Sequence, residues 1–381
     1  MAQRQSNLNR FWITTLSSLV VAACFETQAG QIPVVTPTNL TFTVMAGNLT
    51  GNSQRYEGPQ IRILQAVKPD IAALQEFNAT DNSPAGIRSL VDTALGTNYF
   101  YFRESSSTET YSIPNGIVSR FPILEAGAWD DVTIPDRGFA WAHLQLPGSN
   151  ELYVVSVHLK ASSSSSSQRV TQAANLTKLV QAAFPAGAWI VVAGDFNTSS
   201  RSEAALTTFK TWLSDSPIPT DAASGGHPET NEPRSKPYDY VLPSFSLTNH
   251  LTTVVVGGQS FPNGLIFDSR VFTPLSAVAP VQTTDSASPN AQHMAVLKAF
   301  QISYTVTNWV TMSAPVLRLI PPRSLQWEGP SNVVFTLQAS TNLLAWVDWQ
   351  AVRPVSPGVT HYSLALTNPA PTPLFLRVRW P

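Results

Sequence analysis

Cysteine and charge are the two scarcest features of this sequence. The 381 residues include one cysteine, Cys24, which excludes a disulfide framework and a cysteine-based zinc site. Charged residues make up 12%, about half of the usual share of roughly 25%, so uncharged polar side chains must cover much of the surface. The net charge is −1, so no overall field attracts a polyanion, and any contact with nucleic acid must depend on local cations.

Apolar residues, by contrast, are sufficient for a large core. They form 43% of the chain, and aromatic residues form 10%, which excludes a wholly disordered protein. The length allows two or three domains. After the first thirty residues, no segment of the sequence is long and apolar enough to cross a membrane.

Residues 1–29 have the order of a secretory signal peptide. Two arginines, Arg4 and Arg10, precede the largely apolar stretch Phe11–Ala23, and the small residue Ala29 provides a cleavage site. A second interpretation stays open, because residues 21–24 resemble a bacterial lipobox in which the cysteine is lipidated. We therefore expect a secreted, periplasmic or cell-surface protein, which is lipid-anchored if Cys24 carries lipid.

Strands and helices alternate from residue 40 to residue 303, which predicts one α/β domain. Apolar runs predict the strands 41–45, 71–74, 152–157, 189–193, 240–242 and 294–297. One helix is predicted to begin at Pro59, and another carries an apolar stripe from Val170 to Ala183. The serine run 162–167 predicts a mobile loop.

Helical periodicity ends near residue 313. The runs 324–327, 333–337 and 375–380 are typical of strands, so we expect a small β-sandwich domain over residues 314–381. Within it, residues 338–343 and 375–379 resemble C-terminal modules of exported bacterial proteins. The resemblance implies an accessory role, such as binding to a surface or a polymer, rather than chemistry.

A polar or acidic residue lies at or near one end of each predicted core strand. In chain order these residues are Asn48, Glu76, His158, Asp195 with Asn197, Asp239 and His293. Each one alone has an ordinary explanation as a turn residue, a solvated strand end or a hydrogen-bonded core histidine. Together they predict a shared site, because charged groups at buried strand ends are costly unless a metal or an opposite charge meets them.

These residues belong to five short motifs, which are Leu74-Gln75-Glu76, Ser156-Val157-His158-Leu159, Gly194-Asp195-Phe196-Asn197, Tyr238-Asp239-Tyr240-Val241 and Gln292-His293-Met294-Ala295-Val296. The series resembles that of the endonuclease/exonuclease/phosphatase superfamily, the deoxyribonuclease-I-like group. The blocks that begin at Asn115 and Arg137 also look like parts of it, which makes these two residues candidates for substrate binding; for Arg137, a surface cation is an equal alternative. The resemblance implies a four-layered α/β sandwich, in which helices flank two packed mixed sheets and the site lies at one edge.

Hydrolysis of a phosphate ester requires charge neutralisation, an activated water and a stabilised leaving oxygen. Mg²⁺ prefers hard oxygen ligands, so we predict a Mg²⁺ site at Glu76 with Asn48 beside it, where Mn²⁺ could substitute. Asp195 and Asn197 lie two residues apart and can face one cleft, where Asp195 would orient or deprotonate water and Asn197 would donate to phosphate. Asp239 resembles the family aspartate that positions the leaving group or a second metal.

His158 and His293 are the histidines next to these motifs, and we expect them to provide acid–base assistance or hydrogen bonds to phosphate. One position departs from the family pattern, because Gln292 stands where an aspartate usually precedes the final histidine. We expect the Gln292 carbonyl to accept from the ring N–H, or Asp285 to fold back as a replacement. Without the aspartate, His293 is expected to be less basic than is usual in the family.

Three functions stay open. The leading one is a secreted, Mg²⁺-dependent, monomeric phosphoesterase that cleaves extracellular DNA or RNA, with a local basic patch formed by Arg55, Arg103, Arg137, Lys160, Arg234 and Lys236. The second is a phosphatase or a phospholipase or sphingomyelinase-type hydrolase that acts on a smaller phosphate ester. The third is a non-catalytic binding protein on the same scaffold, and the joint presence of the candidate residues argues against it.

Overall fold

The computed structural model describes residues 15–16, 19–20, 30–105, 112–312, 318–320, 324–328, 334–342, 344–352, 361–365 and 375–379. The chain divides into two compact units, one of Pro37–Thr305 and the other of Met1–Thr36 with Val306–Pro381. Most of the predicted signal peptide, Cys24 included, lies outside the described residues. Its described parts are the paired strands β1 (Thr15–Leu16) and β2 (Leu19–Val20). In the described part of the chain, no helix is long and apolar enough to cross a membrane.

The α-helices among the described residues are α1 (Gly58–Val67), α2 (Pro84–Ala94), α3 (Ser166–Ala183) and α4 (Ala204–Phe209). The strands between the two termini are β3 (Gly30–Gly47), β4 (Ile71–Leu74), β5 (Phe100–Arg103), β6 (Gly116–Ser119), β7 (Ile123–Asp130), β8 (Gly138–Leu146), β9 (Asn150–His158), β10 (Ile190–Asp195), β11 (Asp239–Pro243), β12 (Leu251–Thr252), β13 (Val254–Val256), β14 (Gln259–Phe261), β15 (Leu265–Phe267) and β16 (Ala295–Met312).

Most of these strands belong to two mixed sheets. The five-stranded sheet has the order β11-β10-β9-β8-β7, and the seven-stranded sheet has the order β12-β16-β3-β4-β6-β5, with β15 also paired to β16. Strands β9 and β10 are parallel, as are β3 and β4, whereas β11 runs antiparallel to β10. The ends of β3, β4, β9 and β10 therefore supply the polar residues of the predicted site.

Strand β4 illustrates how the layers form, because successive side chains of a strand point to opposite faces. Ile71 and Ala73 belong to an apolar cluster that joins the two sheets, whereas Ala72 and Leu74 pack in the cluster of helices α1 and α2. Helices α3 and α4 cover the outer face of the five-stranded sheet. The order of layers is helices, sheet, sheet, helices, which confirms the four-layered α/β sandwich.

The predicted mobile loop at residues 162–167 is wrong. Ser163–Ser165 form a short 3-10 helix, and Ser166 begins α3. The fully buried Arg169 donates to the carbonyl oxygens of Lys160 and Ser162 and pairs with Glu203 at 2.6 Å. The Ser162 hydroxyl accepts from the backbone of Ser164, as serine often does at helix starts. Local capping and one buried arginine therefore order this serine run.

The C-terminal residues form two small sheets. Their strands are β17 (Arg318–Ile320), β18 (Ser324–Glu328), β19 (Phe335–Ser340), β20 (Val347–Val352), β21 (His361–Ala365) and β22 (Phe375–Arg379). The strand orders are β17-β18-β21 and β20-β19-β22. One apolar core joins the sheets, with Trp327 stacked on Tyr362 at 5.5 Å and with Phe335 and Leu337 from the second sheet. This arrangement is a small β-sandwich.

Candidate active site

Strand register places three candidate residues in one row. Asp195, at the end of β10, is paired with His158, at the end of the parallel strand β9. On its other side Asp195 is paired with Asp239, the first residue of β11. Val191 and Ala193 face the other sheet, and alternation gives Asp195 the same direction. The row therefore points into the space between the two sheets.

Two candidates approach from the seven-stranded sheet. The last residues of β3 and β4, Gly47 and Leu74, are register partners, so Asn48 and Glu76 follow the same sheet edge. The seven candidates at strand ends, from Asn48 to His293, are each at most 9% exposed. The structure thus brings all seven to one buried edge of the sandwich.

Asp195 is the centre of the hydrogen-bond network. Its Oδ2 accepts from Asn48 Nδ2 at 3.0 Å and lies 3.3 Å from His158 Nε2. The Thr50 hydroxyl, 3.3 Å from Asn48 Oδ1, donates to the Glu76 carboxylate. Asn48 and Thr50 therefore link two carboxylates that come from different sheets.

His293 is held by an aspartate from β11. Its Nδ1 lies 2.9 Å from Asp239 Oδ2 and 3.8 Å from Asp195 Oδ2. Thr230 Oγ1 donates to Asp239 Oδ2 at 2.7 Å and so fixes that carboxylate. Burial lowers the pKa of His293, but the charges of Asp239 and Asp195 outweigh it and raise the pKa to about 9. The ring is therefore protonated at neutral pH.

The predicted orienting partners of His293 are wrong. Gln292 donates from Nε2 to the Gly51 carbonyl at 3.1 Å, and Asp285 accepts from Arg62 Nε at 2.9 Å. Asp239, 54 residues before His293, supplies the negative charge instead. The loss of basicity expected from Gln292 therefore does not follow.

Burial shifts the pKa values of other titratable groups, upward for the carboxyl groups of Asp195 and Glu76 and downward for His158. It raises the pKa of Asp195 to about 6, with His293 opposing the shift and Asp239 adding to it. It also raises the pKa of Glu76, and the nearby Asp195 charge contributes. Burial, together with the charges of Arg137 and His293, lowers the pKa of His158 well below its ordinary value. His158 is therefore neutral, and its Nε2–H can donate to Asp195.

The cluster is suited to a divalent cation. Three carboxyl groups and one protonated imidazole meet within it, so negative charge is in excess. Asp195 and Asp239 offer carboxylate oxygens that lie within 4.8 Å of each other, and Glu76 and Asn48 add oxygen donors from the other sheet. Carboxylate and amide oxygens are the ligands that Mg²⁺ prefers. The donor set therefore fits this ion.

Unusual backbone conformations mark the same edge. Glu76 and Asn197 have φ values of +49° and +52°, in the left-handed region that costs a residue other than glycine on the order of 1–3 kcal/mol. Gly194, in the Gly-Asp-Phe-Asn motif, has φ +143°, and a Cβ there would collide with the Val157 carbonyl and the Gln75 amide. Strain of this kind is typical of functional sites.

Arg137 and Asn115, the two candidates for substrate binding, are engaged with the backbone beside the cluster. Arg137 is 5% exposed and donates to the carbonyl oxygens of His158 at 2.7 Å and Leu159 at 3.2 Å, so the surface-cation alternative is wrong. Asn115 Nδ2 donates to the Gly138 carbonyl at 2.7 Å. Both side chains therefore hold backbone groups, including that of His158.

Sequence reasoning missed three hydroxyl groups: Thr50, Thr230 and Ser156. Ser156 Oγ accepts from Gln75 Nε2 at 2.8 Å and donates to the Leu74 carbonyl at 3.0 Å, which ties the two sheets together between Glu76 and His158. Ser156 and Gln75 are parts of the motifs that contain His158 and Glu76. Their place in these motifs is the signal by which the sequence could have identified Ser156.

The family profile of the endonuclease/exonuclease/phosphatase family matches residues 60–260, which is more than half of the chain. The chain belongs to the endonuclease/exonuclease/phosphatase family. The matched range includes Glu76, His158, Asp195 and Asp239, whereas Asn48 and His293 lie outside it. Members of this family are enzymes that hydrolyse phosphate esters. No curated protein matches the chain.

Solved structures with similarity to this family member share little sequence with it. The catalytic domain of human nocturnin with bound sulfate is 16% identical, with a TM-score of 0.46, and the match covers 73% of this chain and 98% of that one. A family protein from Beutenbergia cavernae is 14% identical, with a TM-score of 0.45 and coverage of 86% and 93%. One from Bacteroides thetaiotaomicron is 16% identical, with a TM-score of 0.45 and coverage of 69% and 98%.

Proposed function

We propose that this protein is an exported, Mg²⁺-dependent phosphodiesterase that cleaves extracellular DNA or RNA. One observation carries the proposal: carboxylates from both sheets converge on a buried edge with an excess of negative charge, beside a protonated histidine. In this proposal residues 40–303 carry the activity and residues 314–381 are an accessory module. Export rests on the order of residues 1–29, and the mass of the mature secreted chain would test it.

Glu76 and Asn48 would hold the cation, and Mn²⁺ could replace Mg²⁺. Glu76 suits this role because, among the described residues, no lysine or arginine pairs with it, and the Thr50 hydroxyl satisfies only part of its capacity. A bound divalent ion would neutralise charge on the phosphoryl oxygens. Asp195 and Asp239 lie close enough to contribute a further ligand.

Asp195 is the proposed general base. Its pKa of about 6 leaves it ionised at neutral pH and close to the value that suits proton transfer. The neutral His158 and the Asn48 amide both face its Oδ2, whereas Oδ1 accepts from the Asn197 backbone N–H at 2.9 Å and keeps a lone pair for the water. Asp195 would accept a proton from the attacking water.

His293 and Asn197 are the proposed phosphate donors. Asp239 holds His293 through Nδ1, so the opposite nitrogen, Nε2, keeps an N–H for a phosphoryl oxygen. Asn197 Nδ2 donates one N–H to the Leu159 carbonyl at 3.1 Å and retains the other. Fixed donors of this kind stabilise charge as it develops in the transition state.

The runner-up is a phosphatase or sphingomyelinase-type hydrolase that acts on a smaller phosphate ester. The observation in its favour is that most cations of the sequence-predicted basic patch are paired within the protein. Arg234, for example, pairs with Asp221 at 3.0 Å and with Asp268 at 2.9 Å. A small ester needs fewer cations than a polymer does.

Parallel assays of the purified full chain would test the proposal. Plasmid DNA, RNA, sphingomyelin and 4-nitrophenyl phosphate would each be incubated with Mg²⁺ and with EDTA. We expect hydrolysis of nucleic acid that EDTA abolishes, and loss of Mg²⁺ binding by calorimetry in Glu76→Gln, a variant that can still accept from Thr50. The proposal that the protein is an enzyme would be refuted if it hydrolyses none of the substrates and if Glu76→Gln gives the same Mg²⁺ calorimetry as the wild type.

A further inference from the structure

Few of the sequence-predicted cations at the site edge are available to a substrate. Four of the six are held by the protein: Arg55 pairs with Glu57, Arg103 donates to the Phe77 carbonyl and Asn78, Arg137 donates to backbone carbonyls, and Arg234 pairs with two aspartates. Within the described part of the chain, Lys160 and Lys236 have no such partner for their ammonium groups. The patch therefore reduces to two lysines.

Lys236 lies beside His293, a proposed phosphate donor. Its Nζ is 5.9 Å from the centre of the Tyr238 ring, and that ring is 5.3 Å from the His293 ring. Both side chains are half-buried. One aromatic ring therefore separates the ammonium group from the imidazole that is proposed to contact the scissile phosphate.

Hydrogen bonds hold the backbone of both residues in place. Lys236 N donates to Asn231 Oδ1 at 2.7 Å, and Tyr238 N donates to Thr230 Oγ1 at 2.9 Å. The Tyr238 carbonyl accepts from Phe196 N at 2.7 Å, within the Gly-Asp-Phe-Asn motif. The backbone from which the Lys236 side chain extends is thus ordered beside the site.

We propose that Lys236, supported by Tyr238, binds the phosphate next to the scissile one in a nucleic-acid strand. This inference rests on the proposed function and narrows it, because only a polymer carries a second phosphate one nucleotide away. A choline headgroup would bring a second cation to a ring that Lys236 already occupies, which is unfavourable. A simple phosphomonoester would leave the lysine unused. With two available lysines, binding depends weakly on salt, with a slope of roughly −1.4 on a single strand.

The test compares two phosphodiesters in the full chain. A single-stranded oligonucleotide has neighbouring phosphates, whereas bis(4-nitrophenyl) phosphate has none. In Lys236→Met we expect the ratio of kcat/KM on the oligonucleotide to kcat/KM on the small diester to fall about tenfold, mainly through KM. The salt slope on the oligonucleotide should become shallower by about 0.7. Tyr238→Leu should shift the ratio in the same direction.

Lys178→Met is the matched control, because Lys178 is exposed on α3, and it should leave both activities and the salt slope unchanged. An unaltered ratio and slope in Lys236→Met would overturn the subsite. So would a wild-type enzyme that hydrolyses the small diester or sphingomyelin but not the oligonucleotide, although the phosphodiesterase proposal would then survive. Failure on every ester would instead remove the proposed function itself.

Discussion

Two buried cationic groups, His293 at the site and Lys298 on β16, lie five residues apart, and their pKa values are shifted in opposite directions. Burial lowers the pKa of each, because a cation is costly away from water. Asp239 and Asp195 face His293 and raise its pKa to about 9. Among the described residues, the Lys298 ammonium group donates only to the Asp215 carbonyl, at 3.5 Å, and burial lowers its pKa to about 8.

The difference lies in where the nearest carboxylates are directed. Asp239 points at His293, whereas the Asp215 carboxylate pairs with Arg201 at 2.6 Å, and Arg201 opposes the Lys298 charge. Lys298 is 1% exposed and follows the alternation of Val296 and Phe300, which both face the inter-sheet layer. Burial of charge is therefore compensated at the site and is largely uncompensated at Lys298. A substitution that removes a charge at the site should therefore impair activity, whereas one that removes the Lys298 charge should stabilise the fold.

Asp195→Asn should have the largest effect. An amide cannot accept the proton of the attacking water, so we expect kcat on nucleic acid to fall by roughly 10²–10⁴-fold. Asp92→Asn is the control, because Asp92 makes a half-buried pair with Arg88 on α2 rather than with a residue of the candidate site, and should keep full activity. Circular dichroism would establish that both variants fold. A folded Asp195→Asn enzyme with more than a tenth of the wild-type rate would remove Asp195 from the role of base.

Lys298→Met should stabilise the fold. The folded pKa of about 8 lies below the ordinary 10.5, so at pH 7 the buried charge costs about 3 kcal/mol, which methionine avoids. Between pH 8 and 10.5 the unfolded state binds more protons than the folded state, so wild-type stability rises with pH there. The variant should lack this rise. Urea unfolding at pH 7 and 9.5 would measure both effects.

The exposed Lys210→Met is the control for that experiment, and its unfolding free energy should change by less than about 0.5 kcal/mol. A destabilised Lys298→Met protein would mean that the ammonium group has partners that compensate for its burial. The contrast with His293 would then fail, because both buried cations would be paired.

The α/β class and the meeting of the site residues were predictable from local pattern, whereas the four layers were implied by the family resemblance. Period-two alternation in short apolar runs assigns faces to strands, and polar residues at the ends of those runs must meet wherever the strand ends meet. Asn48, Glu76, His158, Asp195 and Asp239 were found in this way.

Partnerships across long sequence separations were not predictable. Nothing near Gln292 indicates that an aspartate 54 residues upstream will hold His293, and Asp285, which is closer in sequence, is taken by Arg62. Likewise, the serine run 162–167 is ordered by a buried arginine whose burial depends on the packing of α3. Side-chain pairing depends on tertiary geometry, which composition and periodicity do not encode.

Ser156→Ala should have the smallest effect. It tests the contrast with Lys298 at a buried polar group that has hydrogen-bond partners. Unlike Lys298, Ser156 is buried with a partner for each role of its hydroxyl, since Gln75 Nε2 donates to it and the Leu74 carbonyl accepts from it. Removal of the hydroxyl leaves the buried Gln75 amide without its 2.8 Å bond. We expect a loss of about 1–2 kcal/mol in unfolding free energy, measured by urea titration. Ser89→Ala, exposed on α2, should change stability by less than about 0.5 kcal/mol. Equal stability of the two variants would mean that the hydroxyl between the sheets does not contribute to holding Glu76 and His158 at one edge.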